Sequence, residues 1–374
     1  MKNAATRLLL ALAFTAGCDQ CNEETETDAE ESQAQESEAE ETVDASPLVQ
    51  RLEAPEVEMD KVYLGRRLYH DPILSGDGTV SCASCHTLDH GGAEDRVSSQ
   101  GMGGAIGPIN SPTVLNAHFN FRQFWDGRAA DLQEQAGGPV ENPIEMGGSF
   151  ADAVERIAED EWYAERFANV YGGEDPITKE NITDAIAEYE RYLVTPAPWD
   201  EYLAGDVDAL TDEQKRGWST FQEAGCIACH QGVNLGGTMY QTLGAVEDYF
   251  ELRGTEITEA DLGRFNVTGD EDHRHQFKVA TLRNVTLTPP YFHDGSQTDL
   301  REAVRIMAQV QLGKELTDEQ IDDIVAFLGA LEGELPDEAR LPEDETPPDR
   351  TTAAPGEAAE GEAEAAHEAV AGGD

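Results

Sequence analysis

Cys82-Ala83-Ser84-Cys85-His86 returns 144 residues later as Cys226-Ile227-Ala228-Cys229-His230, and these two runs decide how the chain is read. Each is a C-x-x-C-H sequence, the attachment signature of c-type haem. Two thiols at i and i+3 reach the two vinyl groups of one porphyrin as thioethers, and the adjacent His ligates the iron from the proximal side. Paired cysteines have other uses: a zinc site built from all four thiolates, two structural disulfides, or a thioredoxin-like redox motif. Two copies, each ending in His, in a chain that also carries an export signal favour haem, which is attached outside the cytoplasm. The expectation is a dihaem cytochrome, with Cys82, Cys85 and His86 holding one haem and Cys226, Cys229 and His230 the other.

Working outward, the surroundings of the two motifs repeat. An amphipathic helix is expected before each, over Lys61–His70 and over Thr211–Glu223, the second opened by a capping box of Thr211 and Gln214. Downstream, Phe124-Trp125-Asp126-Gly127-Arg128 with Asp131-Leu132-Gln133-Glu134 returns as Phe292-His293-Asp294-Gly295-Ser296 with Asp299-Leu300-Arg301-Glu302. Repetition over that length predicts two haem domains related by duplication. Ser149 can cap a helix running to Tyr171, Asn181–Val194 forms another before Pro196 and Pro198, and Thr317 with Gln320 boxes a terminal helix. Alternating strand patterns are scarce. The expected fold is therefore mainly α: two cytochrome c-like haem domains, 47–195 and 196–335, with disordered acidic N- and C-terminal tails.

Both ends read differently from the middle. Lys2, Arg7 and the apolar run Leu8–Phe14 read as an export signal over residues 1–18, too short to span a bilayer. Thr15-Ala16-Gly17-Cys18 resembles a bacterial lipobox, which would lipidate Cys18; simple cleavage and secretion is the alternative. Either way the expected location is the periplasm or cell envelope, and Cys21 has no assigned role. Residues 19–46 form an acidic tether with almost nothing to bury, and residues 336–374 a second disordered tail. The 374 residues allow two to three domains. With 76 acidic against 25 basic residues the formal net charge is −51. A surface that negative repels phosphate and argues against nucleic-acid binding, while steering a basic soluble partner toward it.

Function turns on the sixth coordination position of each iron: closed, it passes electrons; open, it can bind peroxide or oxygen. For the second haem the duplication points to Met307, seven residues after Leu300 on an expected helix, and the competing reading is that Met307 is helix core beside Val304 and Ile306. In the first domain the equivalent position is Pro139, within Gly137-Gly138-Pro139, where the helix is expected to break. Beyond it lie Glu141 and Glu145-Met146-Gly147-Gly148. An open haem face beside a carboxylate suits O–O cleavage, which needs a base to take a peroxide proton and deliver it to the departing oxygen. The plain alternative for Glu145 is a solvated loop charge.

These residues resemble the bacterial dihaem cytochrome c peroxidase family over about residues 48–333. The matching blocks run in order: Leu64-Gly65-Arg66-Arg67-Leu68-Tyr69, Ser81 to His86, Asn110-Ser111-Pro112-Thr113-Val114-Leu115-Asn116, Gln123 to Arg128, Glu134-Gln135-Ala136, Glu145-Met146, Leu282-Arg283-Asn284-Val285, Pro290-Tyr291-Phe292-His293 and Gln311-Leu312-Gly313. The resemblance implies that His86 ligates a peroxidatic low-potential haem, and that His230 and Met307 ligate a high-potential electron-accepting haem. It implies Glu145 as catalytic acid/base, Gln135 as active-site amide, and Trp125 as the aromatic between the haems. Asn110, Thr288 and Pro290 match a calcium site at the domain boundary, where oxygen donors suit that ion. His293, in a matching block near those residues, is given a structural or propionate-contacting role. The implied reaction reduces hydrogen peroxide to water with electrons from a small soluble cytochrome c or copper protein, in a family that is commonly dimeric.

One position departs from the family. Many members carry a His that blocks the peroxidatic iron in the oxidised resting state where this chain has Met102. Three arrangements follow: weak ligation by Met102, substitution by His90, or a five-coordinate iron ready without reductive activation. Thioether is a poor ligand for ferric haem, which favours an open or weakly closed iron. Two other functions remain to be weighed. A dihaem oxidase acting on a partner protein typically has Tyr on the second iron, where Met307 stands here. A non-enzymatic dihaem electron carrier has no use for Glu145 and Gln135.

Overall fold

The computed structural model of the protein describes residue 43 and residues 46–351. The expected export signal, nearly all of the 19–46 tether and residues 352–374 lie outside the described residues.

The described chain is mainly helical, as composition and periodicity lead one to expect. Eight helices have ten residues or more: α1 Met59–His70, α2 Leu132–Glu141, α3 Phe150–Glu159, α4 Glu161–Tyr171, α5 Lys179–Tyr192, α6 Asp212–Ala224, α7 Leu300–Leu312 and α8 Asp318–Gly329. Their starts are set locally. Thr211 Oγ1 accepts from the Gln214 N–H at 3.2 Å while Gln214 Oε1 accepts from the Thr211 N–H at 3.0 Å, and Thr317 with Gln320 repeats the arrangement at the head of α8. The strands are β1 Tyr240–Thr242 and β2 Gln276–Lys278, an antiparallel pair with Tyr240 opposite Lys278.

Two close helix crossings organise the packing. α1 lies on α5, and α6 lies on α8. In each crossing a glycine faces the partner's backbone: a Cβ on Gly65 would run into the Ala185 carbonyl oxygen, and one on Gly217 into that of Asp323. One apolar cluster joins Leu64, Leu68, Phe150, Ile157, Phe167 and Ile186; another joins Trp199, Trp218, Phe221, Ile324, Phe327 and Leu328. Each such side chain contributes about 1.5–3 kcal/mol on burial. In the second cluster Trp218 and Phe327 meet at 5.2 Å between ring centroids.

Three expectations are corrected. The helix expected from Ser149 to Tyr171 is two, because Asp160 caps a new start, accepting from the N–H groups of Trp162 at 3.1 Å and Tyr163 at 3.4 Å. Pro139 does not break its helix: α2 runs on to Glu141. Gly138 offers no Cβ to clash with the proline ring, and only two residues follow before the Asn142 N–H closes on the Pro139 carbonyl at 3.3 Å. Finally, residues 336–351 are not a loose tail. They run back over the half of the protein that carries the first motif: Tyr189 donates to the Ala339 carbonyl at 2.7 Å, Arg66 pairs with Glu345 at 2.7 Å, and Arg350 reaches Asp71 at 2.8 Å and Asp160 at 2.9 Å. Acidic composition predicted solvation; it gave no sign of Arg66, the Tyr189 hydroxyl, Asp71 and Asp160 waiting to bind this segment.

Candidate active site

Both C-x-x-C-H runs are short turns pinned to the core. The first is a single helical turn, Cys82–Cys85, opened by Ser81 and Ser84, whose side chains and backbone exchange hydrogen bonds. Tyr69 of α1 donates to the His86 carbonyl at 2.6 Å. The second is a 3-10 turn, Cys226–Ala228, straight after Gly225 ends α6 in the left-handed region at φ 96°. His230 Nδ1 lies 2.9 Å from the Leu235 carbonyl, so Nδ1 carries the hydrogen and Nε2 is left to ligate. Burial, the largest cause for each, lowers the pKa of His86 and of His230, favouring the neutral imidazole that binds metal.

The four thiols are free. Among the described residues they do not gather at one centre. Burial pushes Cys82 up to about 12 and Cys85 and Cys226 up to about 11, which keeps them as thiols and opposes a thioredoxin-like nucleophile, while their separation opposes a shared zinc site. Beside the second motif lies a cavity of about 220 Å³ lined by Cys226, Cys229 and His230, with Met307 and Val304 from α7 and Leu328 from α8. Thiols three apart, an imidazole and a thioether among mostly apolar walls match the donor set of a c-type haem. Met307 is thus on the helix expected for it and faces this cavity rather than the core alone.

Trp125 belongs in sequence to the first motif's half yet lines the second motif's cavity. Its Nε1 donates to the Asn110 carbonyl at 2.8 Å, and its ring meets His293 edge-on with centroids 6.4 Å apart. Asn110 is buried; its N–H donates to the His293 carbonyl at 2.8 Å and its Nδ2 to the Arg96 carbonyl at 3.0 Å, leaving Oδ1 unused by these bonds. Thr288 turns its hydroxyl toward the Val285 carbonyl at 3.4 Å, and Pro290 follows a cis peptide bond.

Glu145 stands on the turn after α2. Asn142 Nδ2 donates to its carboxylate at 2.6 Å, and its carbonyl accepts from the Met102 N–H at 2.7 Å. Burial is the main cause of the raised pKa of Cys82 and of Cys85, and the Glu145 charge adds a smaller push to each, which puts the carboxylate within electrostatic reach of the first motif. Burial raises the pKa of Glu145 itself, against the opposing pull of Asn142 and Arg128. Gln135 is half-buried on α2. Met102 opens a 3-10 turn, and its thioether packs on the first apolar cluster, where a Cβ on Gly76 would come 3.2 Å from Sδ and one on Gly147 would strike its methyl.

Sequence reasoning missed three buried charged features. Asp261, His293 and Asp294 gather at one place. Arg253 occupies both carboxylates at 2.7 Å, and His293 Nε2 bonds Asp261 at 2.8 Å. Asp261 comes from a stretch with no motif. Glu190 is 4 % exposed on α5; its place four residues after Ile186 and eight after Ile182 was a legible sign of burial. Lys278, on β2 and buried, lines the second cavity.

Residues 59–208 match the family model described as di-haem cytochrome c peroxidase. The chain is 50% identical over 289 residues to cytochrome c peroxidase Ccp of Escherichia coli (strain K12), covering 77% of this chain and 60% of that protein. It is 44% identical over 295 residues to cytochrome c551 peroxidase of Nitrosomonas europaea, covering 78% and 86%. Among solved structures, a MauG-like protein associated with microbial copper homeostasis aligns with a TM-score of 0.66 at 26% identity, over 83% of this chain and 98% of the other.

Proposed function

Because the chain belongs to the di-haem cytochrome c peroxidase family, we propose that it reduces hydrogen peroxide to two waters beside Cys82, Cys85 and His86, with electrons entering beside Cys226, Cys229, His230 and Met307. The overall change consumes one peroxide, two electrons and two protons. Bound at these motifs, the haems supply the iron that takes peroxide and the store from which electrons are delivered.

The protein's own groups do the rest. Glu145, steadied by Asn142, accepts a proton from the incoming peroxide and returns it to the departing oxygen, so that the leaving group departs as water. A carboxyl raised by burial is suited to both halves of that transfer. Gln135 orients the peroxide. Trp125, spanning from the Asn110 carbonyl to the second cavity, lies on the route between the two sites. Met102 leaves the first iron open or only weakly closed, a reading supported by its thioether being engaged against Gly76 and Gly147.

The same proposal makes residues 47–195 and 196–335 two haem domains related by duplication, which the matching Gly65 and Gly217 crossings support. It assigns calcium to Asn110, Thr288 and Pro290, and a homodimer as the working state. The donor is a small soluble cytochrome c or copper protein. The location is the periplasm or cell envelope, with Cys18 as lipid anchor; among the described residues no helix is long and apolar enough to cross a membrane.

The observation that carries the reaction is a half-buried carboxylate, pKa raised, within electrostatic reach of the first motif. Its test is Glu145→Gln in the haem-loaded protein. Peroxide consumption with a reduced small donor should fall about 10²–10⁴-fold, while reduction of the second haem by that donor keeps its rate. Undiminished turnover would remove Glu145 from the mechanism.

A further inference from the structure

Lys278 ends β2, its backbone N–H given to the Trp125 carbonyl at 2.8 Å. The residue is 8 % exposed and lines the cavity with His230 and Met307. Among the described residues its ammonium makes no hydrogen bond and no ion pair, and burial alone, with no opposing acid, brings its pKa down to about 8. The acids in the neighbouring cluster are already engaged: Asp261 and Asp294 hold Arg253, and Asp261 also holds His293. A second polar atom is stranded on the same wall, since His293 Nδ1 is buried without a partner. Taking an ammonium out of water without a counter-charge costs several kcal/mol, so a buried Lys with no acid of its own implies an anion that comes from elsewhere.

We propose that the Lys278 ammonium is the counter-charge of a propionate carboxylate on the haem attached at Cys226 and Cys229, and that it is a positioning residue which raises that haem's reduction potential. The inference rests on the haem reading of that motif. A haem brings two propionates, and one buried beside Lys278 in this cavity would give up water. Pairing satisfies both buried charges at once. A neutralised propionate also destabilises the oxidised haem, whose net charge is one unit more positive, relative to the reduced one. The sign follows: with Lys278 in place the reduced form is favoured, which suits a site that accepts and holds electrons.

The test uses the full haem-loaded protein in three versions: parent, Lys278→Met and Lys278→Arg. Each is titrated potentiometrically with the two haems followed by their separate absorption changes. In Lys278→Met the oxidised-to-reduced ratio of the second haem at fixed potential should rise about tenfold, equivalent to about 59 mV for a one-electron couple. The first haem should not move, and Lys278→Arg should stay near the parent. Equal midpoints in Lys278→Met and parent would overturn the proposal, as would a shift shared by both haems or an Arg variant that behaves like Met. Lys278→Gln provides the same comparison on folded, loaded protein if the Met variant accumulates poorly. Failure of the underlying reading looks different: peptide mass would then show unmodified Cys226 and Cys229 in the parent itself.

Discussion

Replacing Arg350 by Ala tests whether the returning segment 336–351 is structural. Arg350 gives Nε to Asp71 Oδ1 at 3.1 Å and Nη2 to Asp71 Oδ2 at 2.8 Å, and also reaches Asp160 Oδ2 at 2.9 Å. Asp71 is fully buried, and its remaining donors are neutral: the Tyr163 hydroxyl at 3.0 Å and the Ile73 N–H at 2.9 Å. Removing one partner of a buried pair costs about 3–5 kcal/mol. Two hydrogen bonds survive here and the arginine is partly solvated, so the expected loss is about 2–3 kcal/mol. That places the thermal midpoint on the order of 5 °C below the parent, read by circular dichroism on the haem-loaded protein. The effect should reach the active site, because the segment that Asp71 begins delivers the Gly76 N–H to the Met146 carbonyl at 2.8 Å, next to Glu145. Combining Arg350→Ala with Asp71→Asn should recover part of the loss, since no charge is then stranded. A coupling energy below about 0.5 kcal/mol in that double-mutant cycle would refute the reasoning.

Two further expectations concern buried positions. Burial raises Glu190 to about 8 from the ordinary 4.5, so its contribution to stability is fully present below about pH 4.5 and is lost as pH rises through 8, on the order of 3–5 kcal/mol in total. Glu190→Gln should therefore match the parent in denaturant midpoint at pH 5 and exceed it at pH 9; a difference that is the same at both pH values counts against a buried neutral acid. Gly65→Ala and Gly217→Ala each set a methyl against a helix carbonyl oxygen and should each cost about 1–3 kcal/mol in equilibrium unfolding, whereas an unchanged midpoint would mean that the crossings can open without cost.

Much of the candidate site was legible because its signals are local. A C-x-x-C-H run, a Thr-x-x-Gln capping box, and Met307 seven residues into a helix that starts at Leu300 all express chemistry between residues three to seven apart, and α6, α7 and α8 stand where those signals put them. Glu145 was picked out by its place beyond Pro139 and given its role by resemblance, but its surroundings were not legible: Asn142, Arg128 and the Met102 backbone converge on it from three segments.

What the sequence by itself determined, then, is a helical chain with two cysteine–histidine attachment points and the helices beside them, since backbone capping and covalent spacing need no distant partner. Only the tertiary structure decided that Arg350 would close over Asp71, that Trp125 would line the second motif's cavity and that Lys278 would be buried there without an acid. Burial and charge pairing are set by which remote segments meet, and a one-dimensional pattern does not encode the identity of the neighbour.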